Sequence, residues 1–501
     1  MAATALDKLK QHNKETALLE AASALLDWDE RCYLPASGGE FRAEQSAYLA
    51  GMIHRRRVDP QIGDWLAELA AATAKEDPHG DAATVARELR HDYDKQVKLP
   101  ASLVEELAKA RSLGQQAWVE ARKNNDFASF SPFLEKILHL RRSYADALGH
   151  NGCRYDALLD DYEPGATTEQ VRAVLEALRQ DLVPLVKAIV DGGRRPPELL
   201  SRHYPRAAQE KICHTVAERV GFEFKRGRID VTHHPFCTTL GPDDCRITTR
   251  YDEHDIANAF FGTLHEAGHG LYEQGLRTEW FGLPPGSAAS LGIHESQSRM
   301  WENFVGRGQD FWHHFFPEMQ AAFPEALDGV RADELYFAVN DVHPSLIRTE
   351  SDEATYNLHI IIRFEIEQAL LAGDLPLIDL PATWNAKYQE YLGIVPPTDA
   401  DGVLQDVHWS AALMGYFPTY SLGNMYAAQL FAQADKELGG LGDFFRRGEF
   451  SPLREWLREK VHVFGRCYRA SDLVRKATGS GLDHRPLIAH LQRKLAPMYG
   501  V

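Results

Sequence analysis

Apolar side chains recur three and four residues apart along most of the chain, the spacing that buries one face of an α-helix. Thr167 and Gln170 form a capping pattern that predicts a helix start. The stripe that follows consists of Val171, Val174, Leu175, Leu178, Leu182, Leu185 and Ile189. Pro184 inside this stripe predicts a kink or a boundary. Ser102 and Glu105 form a second capping pattern, which predicts another helix start.

One stretch departs from the helical pattern. Between Arg228 and Asp252, apolar positions alternate and turn residues lie between them, which is typical of short strands. Helical spacing resumes near Asp255. No Pro/Gly/Ser-rich linker divides the chain. The pattern therefore predicts a mainly α fold, a single large domain over residues 1–501, with a small β-sheet embedded at 225–252.

Composition narrows the classes of partner. The chain has 501 residues, 44% hydrophobic and 25% charged, and a formal net charge of −17. That charge disfavours nucleic acid as a partner. No stretch approaches the roughly 18 apolar residues of a membrane span. The six cysteines form no CxxC pair and no signal peptide is evident, so we expect a cytoplasmic protein with reduced thiols.

The segment from His265 to His269 reads His-Glu-Ala-Gly-His, an HExxH pattern. On a helix, residues four apart project from the same face, so both imidazoles can reach one metal ion. Glu266 lies about 100° round the helix and is placed to take a proton from a zinc-bound water. The pattern predicts a catalytic zinc site for hydrolysis.

A catalytic zinc ion usually has three protein ligands and one open position. The residues in range for the third are Glu273, Glu279, His294, Glu295 and Glu302. A Gly/Pro turn precedes a second predicted helix that begins near residue 294 and would return beside the first. Position alone slightly favours Glu295 and leaves Glu302 open, because both fit a His2Glu set.

Peptide hydrolysis also needs a hydrogen-bond donor that stabilises the oxyanion developing on the scissile carbonyl. The segment 415–424 offers Tyr416 and Tyr420. An exopeptidase must in addition bind a terminal charge, and a planar guanidinium suits a carboxylate. Arg348 and Arg246 are candidates, and the residues alone do not choose between them.

Several short elements together resemble one family. They are His234-Pro235-Phe236, Asp244-Cys245-Arg246-Ile247-Thr248, the HExxH segment, His294-Glu295-Ser296-Gln297, Ile347-Arg348-Thr349-Glu350-Ser351-Asp352 and Gly402-Val403-Leu404-Gln405-Asp406-Val407-His408-Trp409. In this order, and with Tyr155 to Gly165 before them, they resemble the thermostable carboxypeptidase (carboxypeptidase Taq) family of HExxH zinc metallocarboxypeptidases. One departure is Ser351, where the family pattern has alanine.

The resemblance implies a helical fold with a deep active-site groove, similar to peptidases of the neurolysin type. Residues 1–100 would supply N-terminal helices covering the groove, and 255–430 the helices of the metal and substrate site. It further implies a homodimer that acts on peptides with a free C-terminus and broad specificity. Cobalt would sometimes replace zinc.

The resemblance also implies roles for individual residues. The zinc ligands would be His265, His269 and Glu295, with Glu266 as general base and Arg348 as the clamp on the substrate carboxylate. The residues lining the groove would be His234, Arg246 and His408. Tyr420 would be the oxyanion donor, and Tyr416, a substrate-binding residue, its nearest rival.

Two alternatives follow from the same residues. An endopeptidase or dipeptidase on this fold would carry the same metal site. A non-catalytic binding protein could keep a structural zinc ion, although structural sites are usually closed by four protein ligands.

Overall fold

The computed structural model describes residues 4–501, and most of them are helical. The helices are α1 (Ala5–Cys32), α2 (Gly39–Arg57), α3 (Pro60–Thr73), α4 (Asp81–Lys98), α5 (Ala101–Asn124), α6 (Phe127–Leu148), α7 (Arg154–Leu159), α8 (Thr168–Gly192), α9 (Arg206–Val220), α10 (Ile256–Gly275), α11 (Leu291–Arg299), α12 (Gln309–Ala322), α13 (Ala332–Ala338), α14 (Thr355–Ala372), α15 (Leu380–Leu392), α16 (Pro418–Leu438), α17 (Leu441–Arg446), α18 (Ser451–Lys460), α19 (Ala470–Thr478) and α20 (Arg485–Tyr499). Within the described residues, none of these helices has the length and apolar content needed to cross a membrane.

The strands β1 (Gly227–Val231), β2 (Cys237–Thr239) and β3 (Cys245–Thr249) form one sheet in the order β1-β3-β2. β1 runs parallel to β3, with Ile229 opposite Ile247, and β2 runs antiparallel to it. The mainly α fold class with a small embedded sheet is confirmed. The short strand β2 lies where the sequence pattern indicated turns.

The chain forms two compact units, each assembled from three separate segments. The first unit comprises residues 1–97, 196–339 and 427–481, and the second comprises 98–195, 340–426 and 482–501. The prediction of one domain over residues 1–501 stays a prediction.

In the first unit, α10 lies in the core. Its rings Phe260 and Phe261 pack against Trp312 of α12, and Phe260 also contacts Phe311 and Phe315. This aromatic cluster holds one face of α10, while the sheet packs against it through β3. The helix that carries the HExxH segment is therefore fixed on several sides.

In the second unit, α14 is buried along nearly its whole length, including the charged residues Arg363 and Glu367. Glu367 accepts hydrogen bonds from the Tyr155 hydroxyl and the Trp409 indole. Such bonds are what makes a buried carboxyl tolerable.

Of the three local predictions, one is confirmed, one is narrowed and one is wrong. The Thr167 hydroxyl accepts from the Gln170 amide at the start of α8, as predicted. That helix continues through Pro184, so of the predicted kink or boundary the boundary is excluded and the kink stays a prediction. The predicted Ser102 cap is wrong, because α5 begins at Ala101, directly after the extended Pro100.

Candidate active site

Helix α10 begins at Ile256, after the N-cap Asp255, whose carboxylate accepts the Asn258 amide hydrogen, and it carries the HExxH segment at its middle. At Gly268 it approaches α11 closely. An ideal Cβ there would lie 2.6 Å from the Gln297 carbonyl oxygen and 2.6 Å from the Ser298 Cα. Only a residue without a side chain permits this approach, which brings Glu295 of α11 to the two histidines.

The potential ligand atoms of His265, His269 and Glu295 form one group, all within 4.8 Å of one another. One oxygen of Glu295, Oε2, lies 3.6 Å from His265 Nε2 and 3.5 Å from His269 Nε2. Tetrahedral ligands at ordinary zinc distances are about 3.3–3.6 Å apart. The donor set and its spacing therefore fit a single metal ion.

The electrostatic surroundings suit a metal ligand set. Burial raises the pKa of Glu295, but Arg299 and the histidines outweigh it and hold that pKa well below its ordinary value. Arg299 Nε binds Oε1 of Glu295 at 2.7 Å, which leaves Oε2 facing the imidazoles. Burial lowers the pKa of His269 to about 3, so its imidazole is neutral, as a ligand must be.

Glu266 is 6% exposed, and burial raises its pKa to about 7. Its Oε2 atom is buried and has no hydrogen-bond partner. A carboxylate oxygen in that situation has lost hydration without compensation, which is unusual away from a functional site. The atom is thus available to a water molecule or a substrate.

The other candidates for the third ligand lie elsewhere. Glu302 Oε2 lies 2.9 Å from His265 Nδ1, the ring nitrogen turned away from Glu295. His294 contacts Nδ1 of His269, and Glu273 contacts His294. Glu279 is exposed. Of the residues in range, only Glu295 joins the group formed with both Nε2 atoms.

The second unit contains a buried charge cluster around Arg348. Asp406 binds Arg348 Nε through Oδ1 at 2.9 Å and Arg363 Nε through Oδ2 at 2.7 Å. The two guanidiniums keep the pKa of Asp406 far below its usual range, although its burial acts in the opposite direction. Two positive charges share one negative charge, so these three side chains have an excess of one positive charge.

Aromatic and imidazole side chains border this cluster. Tyr356 accepts from Arg348 Nη1 at 2.9 Å, and the Arg348 guanidinium lies 5.0 Å from the ring centroid of Tyr420. The Tyr420 hydroxyl lies 3.3 Å from His408 Nε2, and the ring of Tyr416 contacts both. Burial and the nearby Arg348 lower the pKa of His408 to about 3, so His408 is neutral.

Arg246 and His234 belong to the first unit, in and beside the sheet. Arg246 pairs with Asp244 through Nε at 2.9 Å, and its guanidinium stacks 4.2 Å from the ring of Trp28 on α1. His234 is exposed, in the segment before β2. Neither belongs to the group of His265, His269 and Glu295.

Sequence reasoning missed several residues of these clusters. Arg299 stands four residues after Glu295 on the same helix, a spacing at which opposite charges pair, and this signal was available. Arg363 interrupts an apolar helix, which signals a buried partner. Asp406 lies in the segment 402–409, one of the short elements that resemble the family, but no role was predicted for it.

Known proteins match this chain over nearly its whole length. The family model for carboxypeptidase Taq (M32) metallopeptidases matches residues 8–495. Thermostable carboxypeptidase 1 of Thermus thermophilus is 44% identical, covering 99% of both chains, and carboxypeptidase 1 of Bacillus subtilis is 40% identical, covering 95% of both. The crystal structure of the M32 carboxypeptidase from Deinococcus radiodurans R1 superposes with a TM-score of 0.95, at 42% identity over 99% of this chain and 100% of that one.

These matches confirm the resemblance seen in the short elements, and they span nearly the whole chain. They imply a metal ion, for which His265, His269 and Glu295 offer a possible site, and they imply peptide substrates. The chain belongs to the carboxypeptidase Taq (M32) family of metallopeptidases, and it is a metallocarboxypeptidase.

Proposed function

We propose that the protein is a zinc-dependent carboxypeptidase of broad specificity, with Glu266 as its general base. The observation that carries this proposal is the Glu266 carboxylate, which is buried beside the ligand group and has one oxygen without a hydrogen-bond partner. A structural zinc site needs no such group. A hydrolase needs one to accept a proton from water.

The metal would be held by His265 Nε2, His269 Nε2 and Glu295 Oε2. Two imidazoles and a carboxylate are a frequent ligand set of catalytic zinc, and cobalt can occupy such a set. When bound, the ion would act as a Lewis acid on the scissile carbonyl and lower the pKa of water to about 7.

Glu266 would accept a proton from the attacking water and return it to the leaving amine. Its burial suits this cycle, because a carboxyl with a pKa near 7 can both accept and release a proton near neutral pH. Tyr420 would donate a hydrogen bond to the oxyanion, with Tyr416 as the rival donor.

Arg348 would bind the C-terminal carboxylate of the substrate. The excess positive charge shared by Arg348, Arg363 and Asp406 supports this role, since a substrate carboxylate would balance it in a buried setting where an unpaired charge is costly. Asp406 keeps the guanidinium of Arg348 oriented, and a rigid fork favours a bidentate pair.

His408, Tyr416, Arg246 and His234 would contact other parts of the peptide. The neutral His408 beside Arg348 would add a hydrogen-bonding group without adding charge. The homodimer and the cytoplasmic location stay predictions.

A matched set of peptides tests the proposal. Each sequence is prepared as the free acid and as the C-terminal amide, and release of the last residue is followed with and without a chelator. We expect cleavage of the free acids only, abolished by chelation and restored by zinc. Equal cleavage of the amides would instead support an endopeptidase. Absence of any metal-dependent cleavage would support a zinc-stabilised binding protein.

A further inference from the structure

The two histidines of the proposed metal site are supported differently at their outer nitrogens. His265 Nδ1 lies 2.9 Å from Glu302 Oε2, a direct contact with a carboxylate. His269 Nδ1 lies 2.5 Å from Nδ1 of another imidazole, His294. His294 in turn contacts Glu273 Oε1 through Nε2 at 2.8 Å.

Ligand chemistry dictates where the protons of this chain must be. If Nε2 of His269 holds a metal, its Nδ1 carries the hydrogen and donates it. The partner atom, His294 Nδ1, must then be the acceptor. An imidazole that accepts a hydrogen bond at one nitrogen carries its hydrogen at the other, so His294 Nε2 donates to Glu273. All the hydrogen bonds of this chain therefore point away from the metal.

The carboxylates at the outer ends of these contacts, Glu302 for His265 and Glu273 for His269, are also held differently. Glu302 is bound by Arg299 Nη1 at 3.3 Å and lies 3.5 Å from Arg307 Nη2, so it is held in place by two guanidiniums. It lies in a π-helical turn, Met300–Gly306, that continues α11. Glu273 lies on α10 itself, one turn beyond His269.

We propose that Glu302 and the His294–Glu273 pair are positioning residues that fix the tautomer and the ring orientation of His265 and His269. The support is asymmetric. A carboxylate contacts His265 directly, whereas a second imidazole stands between His269 and its carboxylate. The proposal rests on the proposed function, because it takes His265 and His269 to be metal ligands. Outer hydrogen bonds of this kind commonly change metal affinity by about 10- to 100-fold.

Two substitutions of His294 each keep one of its two functions. One keeps the acceptor at the place of Nδ1, and the other keeps the contact with Glu273 at the place of Nε2. In His294→Asn, the side-chain carbonyl oxygen can occupy the place of Nδ1 and accept from His269. In His294→Gln, the amide reaches the place of Nε2, so it can contact Glu273 but not His269. Both variants are polar and similar in size, so a merely structural role would affect them alike.

The experiment measures zinc affinity by competition with a chromophoric chelator, and the visible spectrum of the cobalt-loaded protein. We expect His294→Gln to bind zinc about 10- to 100-fold more weakly and to alter the cobalt spectrum, and His294→Asn to stay close to wild type. For the carboxylates, Glu302→Gln should weaken binding more than Glu273→Gln, because only Glu302 contacts a ligand directly.

Equal zinc affinity in His294→Gln and wild type would overturn the proposal. So would a loss in His294→Asn as large as in His294→Gln, or a larger effect at Glu273 than at Glu302. The wild-type protein separates these results from failure of the proposed function. If wild type binds zinc and cleaves free-acid peptides while the variants bind zinc equally well, only this inference fails. If wild type binds no zinc, both fail.

Discussion

Replacing Gly268 with alanine tests whether the close packing of α10 on α11 builds the metal site. The added Cβ would lie 2.6 Å from the Gln297 carbonyl oxygen and from the Ser298 Cα. Both atoms belong to the backbone of α11, so no rotation of a side chain can relieve the contact. The helix that carries Glu295 has to move.

The size of the effect follows from the distances. Ordinary van der Waals contact begins near 3.4 Å, so α11 would have to move away by about 0.8 Å. Metal–ligand distances tolerate only about 0.2 Å. Returning Glu295 to the metal would restore the overpacking strain, typically about 1–3 kcal/mol. At about 1.4 kcal/mol for each factor of ten, zinc binding should weaken about 5- to 150-fold.

The assay is chelator competition on protein freed of metal, with circular dichroism to confirm folding. Gly262→Ala is the matched control, because Gly262 lies on the same helix and its ideal Cβ meets no atom within 4 Å. That variant should bind zinc normally and gain up to about 1 kcal/mol of stability from the better helix former. Equal zinc affinity in the Gly268→Ala and Gly262→Ala proteins would refute the reasoning.

Three further substitutions have defined outcomes. Glu266→Gln should keep zinc, measured by metal analysis, and lose about 10²- to 10⁴-fold in kcat, since the amide cannot accept the proton. Arg348→Gln should raise KM for free-acid peptides about 10- to 100-fold, the equivalent of a lost charged hydrogen bond, and reduce the preference over amidated peptides. Asp406→Asn should lower the free energy of unfolding in denaturant by about 3–5 kcal/mol, because two guanidiniums remain buried without a counter-charge. Because folding lowers the pKa of Asp406, its contribution in wild type is present at neutral pH and lost as pH falls below about 4, so acid should narrow the gap between the two proteins.

Local features of the fold were readable from the sequence where one physical cause dominated. The Thr167 cap and the helix start near Asp255 each rest on a hydrogen bond within three residues, and both are present. The Ser102 cap failed because the same residue type also occurs inside helices, where its side chain has no capping function. Strand β2 was missed because three residues are too few to show a period of two.

Helical periodicity alone could not identify the third metal ligand. Glu295 and Glu302 are seven residues apart, a spacing that returns to nearly the same face of a helix. Helical position therefore could not separate them, and the family resemblance supplied the choice. In the structure both do face the histidines. They differ in the ring nitrogen that each one meets, Nε2 for Glu295 and Nδ1 for Glu302.

The Arg348 cluster is harder still to predict from the sequence, because its members lie far apart along the chain. Asp406 is 58 residues from Arg348 and 43 from Arg363, far beyond the reach of any local pattern. Arg363 nevertheless stands among Ile361, Ile362 and Phe364 in a buried helix, and a charge there requires a buried partner. The sequence could thus predict that a carboxylate lies opposite Arg363, but it could not identify that carboxylate. Because Asp406 pairs with two guanidiniums, the cluster of Arg348, Arg363 and Asp406 carries one unbalanced positive charge. That charge is the physical reason to propose that Arg348 binds a substrate carboxylate.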